Sequence, residues 1–289
     1  MRQENYPAIY RSADENSNET QNKYINGTKG YLIVILIGTT LGTYRSVSEI
    51  AAFFAAFVFI VGIILAIVLH NKQYERKWYN CRAVAESMKT STWRFTMRAN
   101  PYDDLDEANA KSKFRELIKA ILNEQINNSE YLTIKYGDSE QITNEMNRIR
   151  SMELLERMDY YRNNRIDEQR SWYAKKAKAN QDAGNLWFKI MIALHIIAIV
   201  FVLLSVSSIS WSYWPSEIFI VAGTSAITWM KVRKYNELAA AYGLTAHEIS
   251  TIRGELELVK TEEDFSQFVN NSENAFSREH TQWLARKEN

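Results

Sequence analysis

The chain has 289 residues, 46% of them hydrophobic and 24% charged, with 35 Lys and Arg against 34 Asp and Glu. A formal charge of +1 lacks the basic excess of a general nucleic-acid binder, so no nucleic-acid partner is expected. A single cysteine, Cys81, excludes a disulfide scaffold and an all-cysteine metal site, and 3 Pro with 10 Gly disfavour a turn-rich sheet protein.

A mean hydropathy of −0.35 conceals where the apolar residues sit. The first 29 residues are polar and lack the apolar core of a signal peptide. Gly30 to Tyr44 carries no charge over fifteen residues, and Ile50 to Leu69 carries none over twenty. A bilayer core about 30 Å thick needs about 20 apolar residues of helix, so the second run is long enough and the first is short. Five residues link them, which permits only a tight helical hairpin.

Beyond the hairpin the sequence predicts polar helices over 72–126, with Pro101 separating the continuation of the span from a second amphipathic helix that starts at Asp103. Asn127 to Asp138 reads as a loop or a short strand (YLTIKY). From Asp138 to Ala183 there is no Gly or Pro. Ile142, Met146, Ile149, Met152, Leu155 and Met158 recur there at helical spacing, which predicts one long helix. Ile190 to Ile209 is a second apolar run of twenty, interrupted by His195. Trp214 to Met230 follows it, with the single carboxylate Glu217, and the rest of the chain, 231–289, is polar.

The expectation is therefore an all-α membrane protein with two transmembrane hairpins, four spans at about 30–44, 50–69, 190–209 and 214–230, extended into a cytoplasmic helical bundle. Thirteen Lys and Arg flank the spans on one side and Arg45 alone on the other. That bias places both termini and the segment 70–189 in the cytoplasm. The layout repeats: residues 1–137 and 138–289 each contain a polar helix, a hairpin and a further polar helix. Tyr79, Ala83 and Ala85 of KWYNCRAVAES match Tyr235, Ala239 and Ala241 of KYNELAAAYGL.

Small residues one helical turn apart let helices approach closely in lipid, and Gly38/Gly42, Ala52/Ala56 and Gly62/Ala66 form such steps. Glu217, Thr224 and Thr228 share one face of the fourth span. A polar stripe in lipid lines a pore or a bundle interior, although a helix-start role for Glu217 and backbone bonding by threonine explain it equally. His195 is an intramembrane polar residue, either bonded to a neighbour or sensing protons or ions. Trp78, Arg82, Glu86 and Trp93 on one helix, and Arg165, Gln169 and Trp172 with Lys176 on another, form mixed aromatic–basic faces. Such faces suit nucleotide stacking or lipid headgroups, or ordinary inter-helix packing with ion pairs. Cys81 is a palmitoylation candidate or a packing thiol. No nucleophile elbow, phosphate loop or zinc spacing is present, so neither enzymatic activity nor a cofactor or metal is expected.

The segment RSADENSNETQNKY, with Trp78, Arg82, Glu86 and Trp93, resembles one subgroup of the SLATT family of two-span modules found in bacterial conflict systems. The second half is similar to another subgroup through Arg165, Asp167, Gln169, Trp172 and Tyr173, then YNELAAAYGLTAHEI, then Glu273, Ser277, Glu279, His280 and Trp283. The resemblance implies a membrane effector of antiphage immunity. Such an effector oligomerises to permeabilise the inner membrane and arrests the infected cell, with a nucleotide second messenger or a separate sensor protein as trigger. A non-conducting, membrane-anchored scaffold that recruits a cytoplasmic partner is the rival reading.

Overall fold

The computed structural model describes residues 1–125, 134–206 and 213–285, apart from the side chains of residues 46, 124–125, 134 and 278–285. Among these residues the chain is all-helical, with no strand. In chain order the helices are α1 (Ala8–Thr43), α2 (Glu49–Lys72), α3 (Tyr74–Thr96), α4 (Glu107–Gln125), α5 (Asn144–Arg150), α6 (Leu154–Tyr161), α7 (Glu168–Ser205), α8 (Ser216–Arg233), α9 (Tyr235–Glu255) and α10 (Glu262–Ala285). The chain divides into two compact units. Unit 1 holds Met1–Gln21, Glu75–Lys176 and Ala241–Asn289, and unit 2 holds Asn22–Tyr74 and Ala177–Ala240.

The helix ends follow from local chemistry. Ser48 caps α2 by accepting from Ala51 N, Glu49 sits in its first turn, and His70 and Lys72 lie in its last. Thr261 and Asp264 open α10 with a reciprocal capping box, each side chain accepting the other's backbone N–H at 3.1 Å. Hydrogen bonds from the Thr261 side chain, and from the backbone N–H groups of Lys260 and Thr261, hold the Asp264 carboxyl below its ordinary value. Both α2 and α8 stop at a residue in the left-handed conformation, Gln73 at φ 46° and Lys234 at φ 50°, and a new helix opens on the next residue, a tyrosine. This shared junction places Tyr74 and Tyr235 at corresponding positions.

In unit 2 each long apolar helix pairs antiparallel with a shorter apolar stretch. Along α1 and α2, Gly27 meets Leu69, Gly38 meets Phe59, and Val34 and Ile35 meet Gly62. Along α7 and α8 the rungs are Phe201–Phe219, His195–Gly223 and Trp187–Trp229, continued by Gly184 against Tyr235. The outward faces are apolar and open: Phe53, Phe57 and Ile63 on α2, and Ile196, Ile199 and Leu203 on α7, are exposed. Among the described residues, two helical stretches, Glu49–Thr96 and Leu154–Ser205, hold a window long and apolar enough to cross a membrane. Only 11% and 6% of those windows is buried. The core helix of a water-soluble protein would be mostly covered, so these faces call for an apolar solvent. The expected four spans reduce to two on this criterion. The uncharged run in α1 is fifteen residues long, and α8 has 18 residues and begins with a glutamate in its first turn. The last residues of the expected span 190–209 lie outside the described residues.

Unit 1 is built around a buried cluster that includes Trp93, Phe95, Tyr102, Phe114, Tyr161 and Phe265. The single long helix expected over 138–183 is instead three pieces. It begins at Asn144, breaks at Ser151–Glu153, resumes as α6, loosens into a π-helical turn over Arg162–Asp167, and runs on as α7. The break carries no Pro or Gly, and side-chain donors satisfy its carbonyls. The carbonyls of Arg148, Arg150 and Met152 are taken by Ser151 Oγ, Arg98 Nε and Arg157 Nε. The changed phase turns Leu155, expected on the apolar face, out to solvent. Of YLTIKY, 131–133 lie outside the described residues, and Ile134–Tyr136 is a single 3₁₀ turn.

Candidate functional site

The small residues of the first hairpin divide into two groups. Gly38 and Gly62 are buried, and an added Cβ would stand 2.7 Å from the Phe59 ring at Gly38 and 3.3 Å from Ile35 at Gly62. Gly42 has open space where a Cβ would go, and Ala52, Ala56 and Ala66 are exposed. Within the hairpin, Ala55, Phe59 and Gly62 form the packing stripe of α2, which takes in Gly62 of the expected steps and leaves Ala52, Ala56 and Ala66 outside it.

In the second hairpin His195 lies across the notch left by Gly223, where an added Cβ would approach the ring to 2.3 Å. Its Nδ1 is 2.8 Å from the Met191 carbonyl, which places the ring–helix bond on that nitrogen. Glu217, Thr224 and Thr228 are exposed, away from the packing residues Gly223 and Ala226. Thr224 and Thr228 donate to Ile220 O and Thr224 O, each at 3.0 Å, so their hydroxyls are satisfied within α8. Between the hairpins, within unit 2, Tyr44 Oη donates to Tyr213 Oη at 3.2 Å.

Unit 1 turns most of the expected aromatic–basic faces inward. Trp78 stacks beside Tyr79 at 4.6 Å. Arg82 pairs with Glu86 at 2.5 Å and with Asp14 of α1 at 3.4 Å. Burial raises the Asp14 carboxyl, with Arg82 opposing, and burial lowers the Lys89 ammonium one turn further along α3. Trp93 is buried, donates to Tyr6 Oη at 2.9 Å, and meets Tyr161 edge-on at 5.7 Å.

The π-helical turn points Arg165 into the same core. Its Nε and Nη2 grip the two oxygens of Glu273 in α10 at 2.8 and 2.6 Å, and Tyr161 donates to Glu273 at 2.9 Å. Burial works against the Arg165 charge, but Glu273 overrides it and holds the guanidinium above its ordinary value. The third nitrogen, Nη1, has no hydrogen bond, and the Phe276 ring lies 4.9 Å from the guanidinium carbon.

Arg150 and Arg157 repeat the theme. They donate to Phe95 O at 2.6 Å and Met97 O at 2.9 Å, satisfying carbonyls at the end of α3, and Arg157 also pairs with Glu262. Sequence reasoning did not single out Arg150, Arg157 or Tyr6 as site residues. The signal was there: Arg150, Arg157 and Arg165 fall seven and eight residues apart, close to helical period, beside an apolar stripe.

Of the remaining face, Gln169 is half-buried, while Trp172 and Lys176 are exposed, with the Lys176 ammonium 5.7 Å from the indole. Cys81 is fully buried and its thiol is pushed up to about 11 by that burial, as a packing thiol requires. The side chains of Glu279, His280 and Trp283 lie outside the described residues.

No curated protein and no solved structure matches the chain. Two family matches cover nearly all of it: residues 7–158 match SLATT_3, the SMODS and SLOG-associating 2TM effector domain 3, and residues 161–283 match SLATT_1, the corresponding domain 1. These effector domains imply a role in bacterial conflict systems, and with the open apolar helices they indicate a membrane protein. The first match ends four residues before the π-helical turn and the second begins one residue before it, each taking one helical hairpin. The chain belongs to the SLATT family, as a tandem of two of its effector domains.

Proposed function

We propose that this protein is a regulated membrane effector of antiphage defence. It spans the bacterial inner membrane four times, keeps both termini and residues 70–189 in the cytoplasm, and oligomerises to permeabilise the membrane when triggered. Infection is then aborted by arrest or death of the host cell. The antiparallel rungs support four spans, since α1 and α8 accompany α2 and α7 through the apolar zone. A shorter helix can be carried through lipid by a longer neighbour that shields one of its faces.

The observation that carries the reading is the outward stripe of Glu217, Thr224 and Thr228 on α8. A carboxylate facing acyl chains costs several kcal/mol, whereas the same face against other copies of α8 would line a wet path. Triggered expression in cells loaded with an impermeant dye tests it. Leakage is expected, and Glu217→Ala with Thr224→Val reduces it while leaving membrane insertion intact. Unchanged leakage in that variant removes the stripe. Toxicity without leakage, surviving replacement of both hairpins by unrelated spans, favours the scaffold.

A further inference from the structure

Three chain segments are bonded together at the end of unit 1 where α3 terminates. Arg98 Nε donates to Arg150 O at 2.8 Å, Arg150 Nη2 donates to Asp104 O at 3.2 Å, and Asn100 N donates to Ser266 Oγ at 3.2 Å. Arg157 links Met97 to Glu262 across the same junction. From beside these anchors three leucines project into solvent: Leu105, Leu155 and Leu258, with 101%, 74% and 77% exposure.

The loop carrying Leu105 is pinned. The Asp104 carboxylate takes Lys113 Nζ at 2.7 Å and Asn109 Nδ2 at 2.6 Å, and Asp106 Oδ1 accepts from Ala108 N at 2.9 Å. A single exposed leucine is ordinary. A leucine that touches nothing, on a backbone fixed from both sides, has already lost the freedom that binding would otherwise remove.

The surroundings choose the occupant. In 103–107, 153–156 and 255–264, ten carboxylate residues are exposed against one exposed cation, Lys260; Glu107 pairs with Lys111 and Glu262 with Arg157, which still leaves an acidic surplus in a chain whose total charge is +1. Such a field repels anionic lipid headgroups, so these leucines do not serve a membrane surface. A protein face that is basic around apolar recesses gains from both features: charge steers the encounter and the leucines anchor it. We infer that this end of unit 1 is a docking surface for a protein partner with a basic, apolar-pitted face, and that Leu105 is its central anchor. The inference is independent of whether the hairpins conduct.

The test uses the full chain in zwitterionic nanodiscs. The probe is a fluorescent amphipathic helical peptide with leucines on one face and lysines on the other, and empty nanodiscs serve as blank. Binding is expected to weaken about tenfold in Leu105→Ser/Leu155→Ser/Leu258→Ser, as for loss of anchor residues. It should also fall steeply between about 50 and about 300 mM salt, as screening requires. Because the three side chains are solvated, the thermal transition should not move. If it does, Asp103→Lys/Glu257→Lys provides the second variant, with the same loss expected. Equal binding by wild type and variants, or equal binding of a peptide carrying Glu in place of Lys, overturns the inference. So does a change in the oligomeric mass of the serine variant, which would make the surface a self-contact.

Discussion

Replacing Gly223 by alanine inserts one methyl group between α7 and α8 at the place where the second hairpin is tightest. The new Cβ would lie 2.3 Å from His195 Cε1 and 2.6 Å from Nδ1. Comfortable contact between such atoms is about 3.5–4.0 Å, so the ring must retreat by more than 1 Å. It cannot do so freely, because Nδ1 is held 2.8 Å from Met191 O. Losing that bond costs roughly 0.5–1.5 kcal/mol and overpacking roughly 1–3 kcal/mol, so a destabilisation of about 2–4 kcal/mol is expected. Equilibrium unfolding in mixed micelles, followed by tryptophan emission, measures it. His195→Ala removes the obstacle, so the double variant should lie well above the sum of the two singles, with a coupling of at least about 1 kcal/mol. A Gly223→Ala protein as stable as wild type would refute the reasoning, and so would additive singles.

The first hairpin offers a paired comparison in the same assay. Gly38→Ala drives a Cβ to 2.7 Å from Phe59 and should cost about 1–3 kcal/mol. Gly42→Ala meets nothing within 4 Å and should be neutral or stabilise by up to about 1 kcal/mol through helix propensity. In unit 1, Glu273→Gln leaves the buried Arg165 charge uncompensated and should destabilise by about 3–5 kcal/mol, with Arg165→Met/Glu273→Leu recovering most of the loss. Lys89→Met should raise the melting temperature at neutral pH, because burial disfavours the ammonium more than Glu86 favours it. Burial lowers the folded pKa beneath the unfolded 10.5, so the penalty is complete below the folded value and fades as pH rises towards 10.5. The gap between variant and wild type should therefore close with rising pH, and a constant gap would point to packing instead.

Part of this architecture is legible in the amino-acid order, and the illegible part has definite causes. The apolar runs 50–69 and 190–209 stand out because no other solvent suits twenty uncharged residues. The packing face of α2 does not. A helix apolar on every side has no phase for periodicity to reveal, so Ala55 and Gly62 could not be told from Ala52, Ala56 and Ala66. The break at Ser151–Glu153 escapes for a different reason. Its donors, Arg98 and Arg157, come from another helix end and from further along the chain, and no local breaker marks it. Arg150, Arg157 and Arg165 escape because charge is ordinarily read as solvent-facing, whereas here each guanidinium occupies carbonyls or a carboxylate inside the core.

The two junctions at Gln73 and Lys234 indicate what the tandem holds in common where residue matches are few. A left-handed conformation costs a residue with a Cβ roughly 1–2 kcal/mol, and glycine would relieve it, yet neither position is glycine. The residue types differ while the backbone angles nearly coincide, φ 46° and ψ 42° against φ 50° and ψ 40°. The conformation therefore belongs to the turn between two successive helices rather than to the residue type. Cations precede each junction, Lys72 before one and Lys231 and Arg233 before the other, where they meet the negative ends of α2 and α8. At the second junction Tyr235 is buried, 3.3 Å from where a Gly184 Cβ would stand, and Arg233 lies 5.6 Å from its ring. Each half ends its apolar helix on a charged collar and bends at one residue into a helix that leads to unit 1. That device, more than any shared motif, makes the halves two copies of one plan.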